Sequence, residues 1–260
     1  MSARSTTPPR VSVVIPVRDD ARALRACLRR LAAQTVAPFE VIVVDNGSRD
    51  DSIDVARAAG ATVLEEPRPG IPATAARGYD AAAGEVIARC DADSLVPRDW
   101  IERIAAAFAA DDALDALTGP GRFHDLPRPW AGLASAAYAL GVFGVAGAAV
   151  ANVPVWGSNM ALRRSAWLAI ADRVPRDDPQ LHDDLDVSMR LGPDARVRLD
   201  PRLRVRAQGR MFRSRADVRR RFSVAMRTFR RGWADEGSPG RRWLRRLGQP
   251  RPRPRRRGRR

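Results

Sequence analysis

The feature that most constrains the fold is an alternation of short apolar runs with longer segments of helical spacing. Each apolar run is four to seven residues long, as expected for strands that are buried on both faces. The predicted strands cover residues 11–17, 40–45, 61–65 and the run that follows Gly84. The intervening segments repeat apolar residues at intervals of three and four, as in Leu24, Leu28 and Leu31. Strands that alternate with helices of this length predict an α/β fold with a mostly parallel central sheet flanked by helices.

Carboxylates follow two of these strands. Asp45 ends the second, and Asp91 and Asp93 end the fourth. Residues two apart in a strand point to the same side, so Asp91 and Asp93 can converge at the carboxyl edge of the sheet, where such folds bind ligands. Two hard oxygen donors suit Mg²⁺ or Mn²⁺ holding phosphates. The alternative is that Asp93 only caps the next helix.

Two common nucleotide-binding motifs are missing. The chain has no Gly-x-Gly-x-x-Gly fingerprint after a strand, and it has no lysine for a phosphate-binding P-loop. A nicotinamide-binding or P-loop protein is therefore disfavoured. Asp45 could instead accept a hydrogen bond from a base or ribose, while the Asp91–Asp93 pair holds a metal that neutralises a diphosphate.

The net charge of +16 is concentrated at the C-terminus. Eleven of the 46 basic residues lie between Arg241 and Arg260, and the rest of the chain carries 35 basic against 30 acidic residues. Residues 237–260 are predicted to be a disordered Arg- and Pro-rich tail. Such a tail attracts phosphates without sequence preference, so no specific nucleic acid is expected, and an anionic membrane surface would suit it equally.

Two cysteines, Cys27 and Cys90, indicate no disulfide framework and favour a reducing cytosol. Residues 1–9 are predicted to be flexible and lack the apolar core of a secretory signal. Residues 131–151 are nearly all small and apolar and are long enough to span a bilayer. Acidic motifs on both sides of this segment would be separated by a single crossing. We therefore expect a buried or membrane-surface helix pair.

The second half of the chain contains two polar motifs. In the first, Gly157 allows a close backbone approach and Asn159 offers both a donor and an acceptor, although an ordinary turn would also use them. In the second, Asp183, Asp184 and Asp186 crowd a predicted helix start. They could complement the helix dipole, or one carboxylate in an apolar setting could act as a general base.

Two further segments complete this half of the chain. Residues 197–205 are predicted to be a strand or paired strands. Residues 217–233 are predicted to be a basic amphipathic helix, with apolar side chains such as Val218, Phe222 and Phe229 along one side.

Five of these motifs, taken in order, resemble the family-2 glycosyltransferases of the GT-A fold. They are VSVVIP, VIVVDNGS, GEVIARCDAD, GSNMALRR and HDDLDVSMR, and the resemblance covers about residues 10–212. The resemblance implies an inverting transfer from a nucleotide-diphosphate sugar, assisted by Mn²⁺ or Mg²⁺. It also favours a UDP-type donor.

The resemblance assigns roles to individual residues. Pro16, Val17, Arg18, Asp45 and Ser48 would hold the nucleotide. The Asp-x-Asp motif would bind the metal through Asp91 and Asp93, with Asp93 as the direct ligand.

For the reaction itself, the resemblance assigns the family's Glu-Asp pair to Asp183 and Asp184, with Asp184 as the base. Trp156, Gly157 and Asn159 would line the acceptor side. Arg210 would lie near the diphosphate.

The sequence departs from the family pattern before the fourth strand. Relatives carry Arg-Asn where this chain has Ala75 and Ala76. Arg77 or Arg68 would then contact the diphosphate, or transfer would be impaired and the protein would be a transferase-like binding protein. The first acid of the catalytic pair is also Asp instead of Glu.

These assignments divide the chain into a nucleotide-binding half at 10–123, an acceptor half at 124–212 and the basic helix at 213–236, within one domain at 10–236. The expected location is cytoplasmic, peripheral at the inner face of the plasma membrane. A lipid-linked or cell-envelope glycan is an acceptor class that would explain both the tail and the apolar segment.

Overall fold

The computed structural model describes residues 8–127, 130–212 and 214–248. The strands are β1 (Val11–Val17), β2 (Glu40–Asp45), β3 (Thr62–Glu65), β4 (Val86–Arg89), β5 (Ala116–Thr118), β6 (Gly121–Phe123), β7 (Met160–Arg163), β8 (Val197–Leu199) and β9 (Val205–Ala207). The helices are α1 (Ala21–Ala32), α2 (Ser52–Ala58), α3 (Ile71–Ala81), α4 (Trp100–Ala110), α5 (Trp130–Ala139), α6 (Gly147–Val150), α7 (Arg164–Leu168), α8 (Asp183–Leu191), α9 (Arg215–Glu236) and α10 (Pro239–Gly248).

The central sheet has seven strands in the order β3-β2-β1-β4-β7-β5-β8. Six strands run in one direction, and β7 alone runs against its neighbours β4 and β5. The predicted α/β fold with a mostly parallel sheet is confirmed. Strand β7 lies between β4 and β5 and pairs with both. A small second sheet consists of β6 and β9.

Each face of the central sheet is covered by helices. Alternate residues of β1 show this arrangement, because Val13 and Ile15 belong to the core that includes α1 and α4, whereas Val14 packs with α3 and α7 on the other face. Gly78 on α3 permits this close packing, since an added Cβ would lie 2.3 Å from Val14. The core leaves the carboxyl ends of the parallel strands free to form a site. Cys27 and Cys90 lie in the first core, both as free thiols.

The apolar segment forms one helix and not the predicted pair. Helix α5, a π-helical stretch (Leu140–Ala146) and α6 are continuous from Trp130 to Val150, which we call the long helix. Among the described residues, it is the one helix whose length and composition would allow it to cross a membrane. Residues 130–150 are rich in alanine, the strongest helix former, and contain no proline, so the segment stays helical despite its glycines.

The C-terminal segment is also more ordered than predicted. Helix α10 lies within residues 237–260, for which the sequence predicts disorder, and its Arg242 is 1% exposed. The Arg242 guanidinium donates to Val150 O (3.0 Å) and Met189 O (3.1 Å), and Trp243 Nε1 donates to Ala148 O (2.9 Å). These donors satisfy carbonyls at helix ends that have no partner within their own helix. Residues 1–7 and 249–260 lie outside the described residues.

The prediction for residues 197–205 resolves into two strands in different sheets. Strand β8 is the edge of the central sheet, and β9 pairs with β6. The basic helix is confirmed as α9, and it is slightly longer than predicted.

Candidate functional site

A polar cavity of about 270 Å³ lies at the carboxyl edge of the central sheet. Its walls combine the end of β4, the loop before β7 and the start of α8. Five predicted site residues line it together: Asp91, Trp156, Gly157, Asp183 and Asp184. The sheet order explains this convergence, since β4 and β7 are neighbours and both present their site residues at the same edge.

Asp184 is buried in the first turn of α8. Its Oδ2 accepts a hydrogen bond from Gly157 N–H (2.8 Å), and its Oδ1 lies 2.7 Å from Nδ1 of His182. Burial acts to raise the pKa of Asp184. The charges of His182 and Arg89 and these hydrogen bonds outweigh burial, so the pKa lies below its ordinary value. The side chain is therefore a carboxylate at neutral pH, which is the state required of a general base.

Arg89 joins the two acidic motifs. It ends β4 at 2% exposure, and its Nη2 donates to Asp91 Oδ1 (3.0 Å) while its Nη1 donates to Asp183 Oδ2. Gly157 leaves space for this guanidinium, because a Cβ there would lie 2.7 Å from Arg89 Nη1. Arg89 was not among the site residues predicted from the sequence. The available signal was an arginine in an apolar strand, two residues before Asp91 and so on the same face.

Asp91 and Asp93 meet the conditions for a divalent cation. Asp91 Oδ2 accepts from Ser158 Oγ at 2.5 Å. Burial and the nearby Asp91 charge raise the pKa of Asp93 to about 7, so this carboxyl lacks sufficient neutralising charge. Arg210 supplies only part of it, with its Nε 3.5 Å from Asp93 Oδ2 and its Nη2 2.5 Å from Asp20 Oδ2. A cation held by two hard oxygen donors would relieve this deficit.

A second group could also hold a metal ion. Ligand atoms of His182, Asp183 and Asp184 all lie within 4.8 Å of one another. These atoms are already engaged, because His182 pairs with Asp184 and Asp183 pairs with Arg89. Both oxygens of Asp91 are engaged as well, by Arg89 and Ser158, so both groups are candidate metal sites.

The ends of β1 and β2 form the predicted nucleotide end of the site. Pro16 and Val17 are buried and pair in register with Val44 and Asp45. Asp45 Oδ2 accepts from the backbone N–H of Gly47 and Ser48, both at 3.0 Å. Its Oδ1 is buried and, among the described residues, has no hydrogen-bond partner. This oxygen fits the predicted role of Asp45, which is to accept a hydrogen bond from the base or ribose of a ligand.

Ser48 and Arg18 complete this end in different ways. Ser48 Oγ accepts from Asp19 N–H (2.9 Å), which links the loops after β1 and β2. Arg18 is exposed and lies beside Asp19, with 3.9 Å between Nε and Oδ2.

The structure contradicts the acceptor-binding role predicted for Asn159. Its side chain is fully buried, its Oδ1 accepts from Trp100 Nε1 (2.9 Å), and its Nδ2 donates to Leu203 O (2.6 Å). Both polar atoms are used within the protein, so Asn159 fixes the loop that carries Trp156 and Gly157 instead of contacting a ligand.

The structure does not bring the two arginines proposed as substitutes to the polar cavity. Arg77 is exposed on α3, and Arg68 is exposed and pairs with Glu66 at 2.8 Å. Ala75 and Ala76, at the usual Arg-Asn positions, are buried in the core under the sheet. The buried positive charge of the polar cavity comes instead from Arg89, at the end of β4.

Comparison with known proteins gives consistent matches. The profile of the family described as "Glycosyl transferase family 2" matches residues 12–151. Glycosyltransferase AglE of Haloferax volcanii is 33% identical over 107 residues, which are 38% of this chain and 35% of that protein. A "PGL/p-HBAD biosynthesis glycosyltransferase" of Mycobacterium tuberculosis is 30% identical over 131 residues, which are 48% of this chain and 51% of that protein. The matches thus cover about half or less of these relatives.

Solved structures share the fold. The mannosyltransferase PcManGT from Pyrobaculum calidifontis, in complex with GDP-Man and Mn²⁺, has a TM-score of 0.67 at 22% identity, covering 93% of this chain and 70% of that one. Glucosyl-3-phosphoglycerate synthase from Mycobacterium tuberculosis, in complex with Mn²⁺, UDP and glucosyl-3-phosphoglycerate, has a TM-score of 0.62 at 18% identity, covering 86% of this chain and 80% of that one.

Proposed function

The chain belongs to glycosyl transferase family 2, and from this premise we propose that it is a metal-dependent, inverting glycosyltransferase. It would transfer a hexose from a nucleotide-diphosphate sugar to an acceptor hydroxyl. The observation that carries the proposal is the position of Asp184, a buried carboxylate that lines the same cavity as Asp91.

Asp184 would remove the proton of the acceptor hydroxyl through its carboxylate. The oxygen would then attack the anomeric carbon on the face opposite the leaving diphosphate, which inverts the configuration at that carbon. The contacts from Gly157 N–H and His182 orient the carboxylate for this proton transfer.

On the donor side, Asp91 and Asp93 would hold Mn²⁺ or Mg²⁺, which neutralises the diphosphate when bound. The two structural neighbours are complexes with Mn²⁺, with GDP-Man in one case and UDP in the other, which supports a nucleotide-sugar donor. We favour a UDP-type donor, with Asp45 receiving the base and Arg210 near the diphosphate.

The proposed location is the cytoplasmic face of the plasma membrane, with peripheral attachment through α10 and the arginines that follow it. A lipid-linked or cell-envelope glycan would then be the acceptor. Support comes from the exposed leucines of α10, Leu244 and Leu247 (73% and 72%), beside Arg241, Arg245 and Arg246 of the same helix.

The decisive experiment is titration calorimetry of a panel of nucleotide diphosphates, with and without Mn²⁺. Wild type should bind one nucleotide in a metal-dependent manner. Asp93→Ala should weaken this binding by about 100-fold or more, since changes to residues merely supporting a metal ligand cost about 10- to 100-fold.

The matched control is Asp112→Ala, which removes an exposed carboxylate outside the site and should leave binding unchanged. Absence of binding to every nucleotide, with or without metal, would contradict the proposal.

A further inference from the structure

The long helix exposes an unusual amount of apolar surface. Trp130 and Leu133 are each 64% exposed, and Leu140 and Val145 are each 69% exposed. Large apolar side chains grouped on one exposed helix indicate contact with another apolar surface or ligand.

An apolar groove lies between the long helix and α9. It has a volume of about 440 Å³, within the range of small-molecule sites. Both walls are apolar: Val142 and Val145 come from the long helix, and Phe222, Met226 and Phe229 come from α9. A sugar or a phosphate would gain little from such a lining, whereas a hydrocarbon chain or an aromatic ring would be stabilised by leaving water.

The apolar groove ends at the proposed catalytic base. His182, Asp184 and Arg221 line both the groove and the polar cavity at the edge of the sheet. The two cavities therefore meet at Asp184, with apolar walls on one side and carboxylates and arginines on the other. A molecule lying in the groove would place its polar end at this carboxylate.

Packed aromatic rings hold the inner end of the groove in shape. Tyr138 contacts Phe123 and Trp156 edge to face, with ring centroids 5.4 and 5.8 Å apart, and Phe123 contacts Phe212 at 5.1 Å. Burial raises the pKa of Tyr138, so its phenol stays uncharged and the wall remains neutral. Groove and base are thus preformed relative to each other.

We propose that the acceptor is an amphiphile whose apolar chain or ring lies in the apolar groove and whose hydroxyl is presented to Asp184. This assignment rests on the proposed transferase function. It goes further in stating what the acceptor must contain next to its reactive hydroxyl. Continuity of the groove with Asp184 favours a substrate over a docked protein, which would have no need to reach a buried carboxylate.

The test uses methyl, hexyl and octyl β-glucoside as probes, each titrated calorimetrically below its micellar concentration. The headgroup is constant, so differences in affinity report the chain. Affinity should increase about fourfold per methylene over the part of the chain that is buried, which is the usual transfer free energy of that group.

Two glycines of the long helix give a matched pair of variants. Gly141 lines the groove and Gly132 does not, and an added Cβ at either position has open space around it. Gly141→Trp should abolish the dependence on chain length. Gly132→Trp should keep it.

A separate titration of nucleotide with Mn²⁺ on the same variants keeps the two proposals apart. Equal affinity of wild type for all three glucosides would overturn the groove assignment, as would an equal loss of chain-length dependence in both variants. If nucleotide binding persisted, the transferase proposal would still stand. Binding to lipid vesicles without binding to soluble glucosides would also overturn it. Chain-dependent binding without any nucleotide binding would overturn the assignment of the occupant as an acceptor.

Discussion

The polar cavity and the apolar groove meet at Asp184 but are built in opposite ways. In the polar cavity, the carboxylates of Asp91, Asp183 and Asp184 each pair with Arg89 or His182, and Arg89 spans from Asp91 to Asp183. In the apolar groove, side chains such as Val145 and Phe222 remain largely exposed, at 69% and 68%. The charged groups of the polar cavity thus find their partners within the protein, apart from the proposed cation and donor. The apolar groove leaves apolar surface in contact with water.

The difference indicates where specificity resides. A network of fixed charges can position a diphosphate common to many donors, because its geometry does not depend on the sugar. An open apolar groove selects by hydrophobic contact, which depends on the acceptor alone. Changes in the polar cavity should therefore affect catalysis and folding, whereas changes on the apolar side should affect only what binds.

The largest effect is expected at Asp184, where the two regions meet. Asp184→Asn should lower kcat by about 10³-fold, since a positioned base contributes roughly 10² to 10⁴. Metal-dependent nucleotide binding should persist, as the donor side is untouched. The rate is measured as released nucleotide diphosphate. A kcat within tenfold of wild type would show that Asp184 is not the base, and no turnover in wild type would favour a binding protein.

His182→Gln is the control that keeps the Asp184 carboxylate. Burial acts to lower the pKa of His182, but the Asp184 charge outweighs it, so the pKa lies above the ordinary 6.5. Below that pKa the imidazolium weakens Asp184 as a base, and loss of the proton at higher pH strengthens it. Wild-type kcat should therefore rise with pH above 6.5, and this rise should vanish in His182→Gln. The same rise in both would exclude His182 as its source.

The second prediction concerns the polar cavity alone. Arg89→Met would leave Asp183 buried without its partner, and breaking a buried ion pair in this way costs about 3–5 kcal/mol of unfolding free energy. Urea denaturation measures the change. Arg89→Lys, which keeps the charge but loses the fork between two carboxylates, should cost less.

Arg77→Met is the matched control for Arg89. Arg77 is exposed, so its replacement should change the unfolding free energy by about 0.5 kcal/mol at most. It also tests the role predicted for Arg77 at the diphosphate, because nucleotide-sugar affinity should fall in Arg77→Met if that role holds. Identical urea midpoints for the Arg77 and Arg89 variants would contradict the structural role of Arg89.

The sequence was most informative where chain order and spatial order coincide. Strands β1 to β4 are short apolar runs, and the carboxylates after β2 and β4 lie at the predicted edge. Periodicity along the chain suffices to locate these strands, although β4 ends at Arg89 and Asp91 and Asp93 lie in the turn that follows it. Such local rules determine which face a residue occupies, and they made the fold predictable.

Partners that are distant in sequence were not predictable. Asn159 was expected to face a ligand, but its partners Trp100 and Leu203 lie 59 and 44 residues away. Arg89 meets Asp183 across 94 residues. Arg242 became part of the core through carbonyls of the long helix and α8, which no charge pattern in an arginine-rich segment could indicate. The spacing of residues along the sequence predicts which way a side chain points, but not which distant group it contacts.

The smallest effect is expected at α10, outside both cavities, where Leu244 and Leu247 are exposed. If this face lies on a membrane, Leu244→Asp combined with Leu247→Asp should weaken binding to anionic vesicles by about 100-fold, because two leucines, each contributing about 1.5 kcal/mol, no longer insert. Arg242 anchors the helix internally, so the fold should be unchanged. Vesicle co-sedimentation measures the binding.

Deleting residues 249–260 is the complementary change, since it removes arginines and leaves α10 in place. Its effect should be large at low salt and should shrink at high salt, because each arginine near an anionic surface contributes about 1 kcal/mol that is screened by ions. The leucine variant should lose binding at both salt concentrations. Neither variant should change the affinity for octyl β-glucoside, because α10 does not line the apolar groove. A parallel loss of glucoside binding would mean that membrane contact and acceptor binding use one continuous surface.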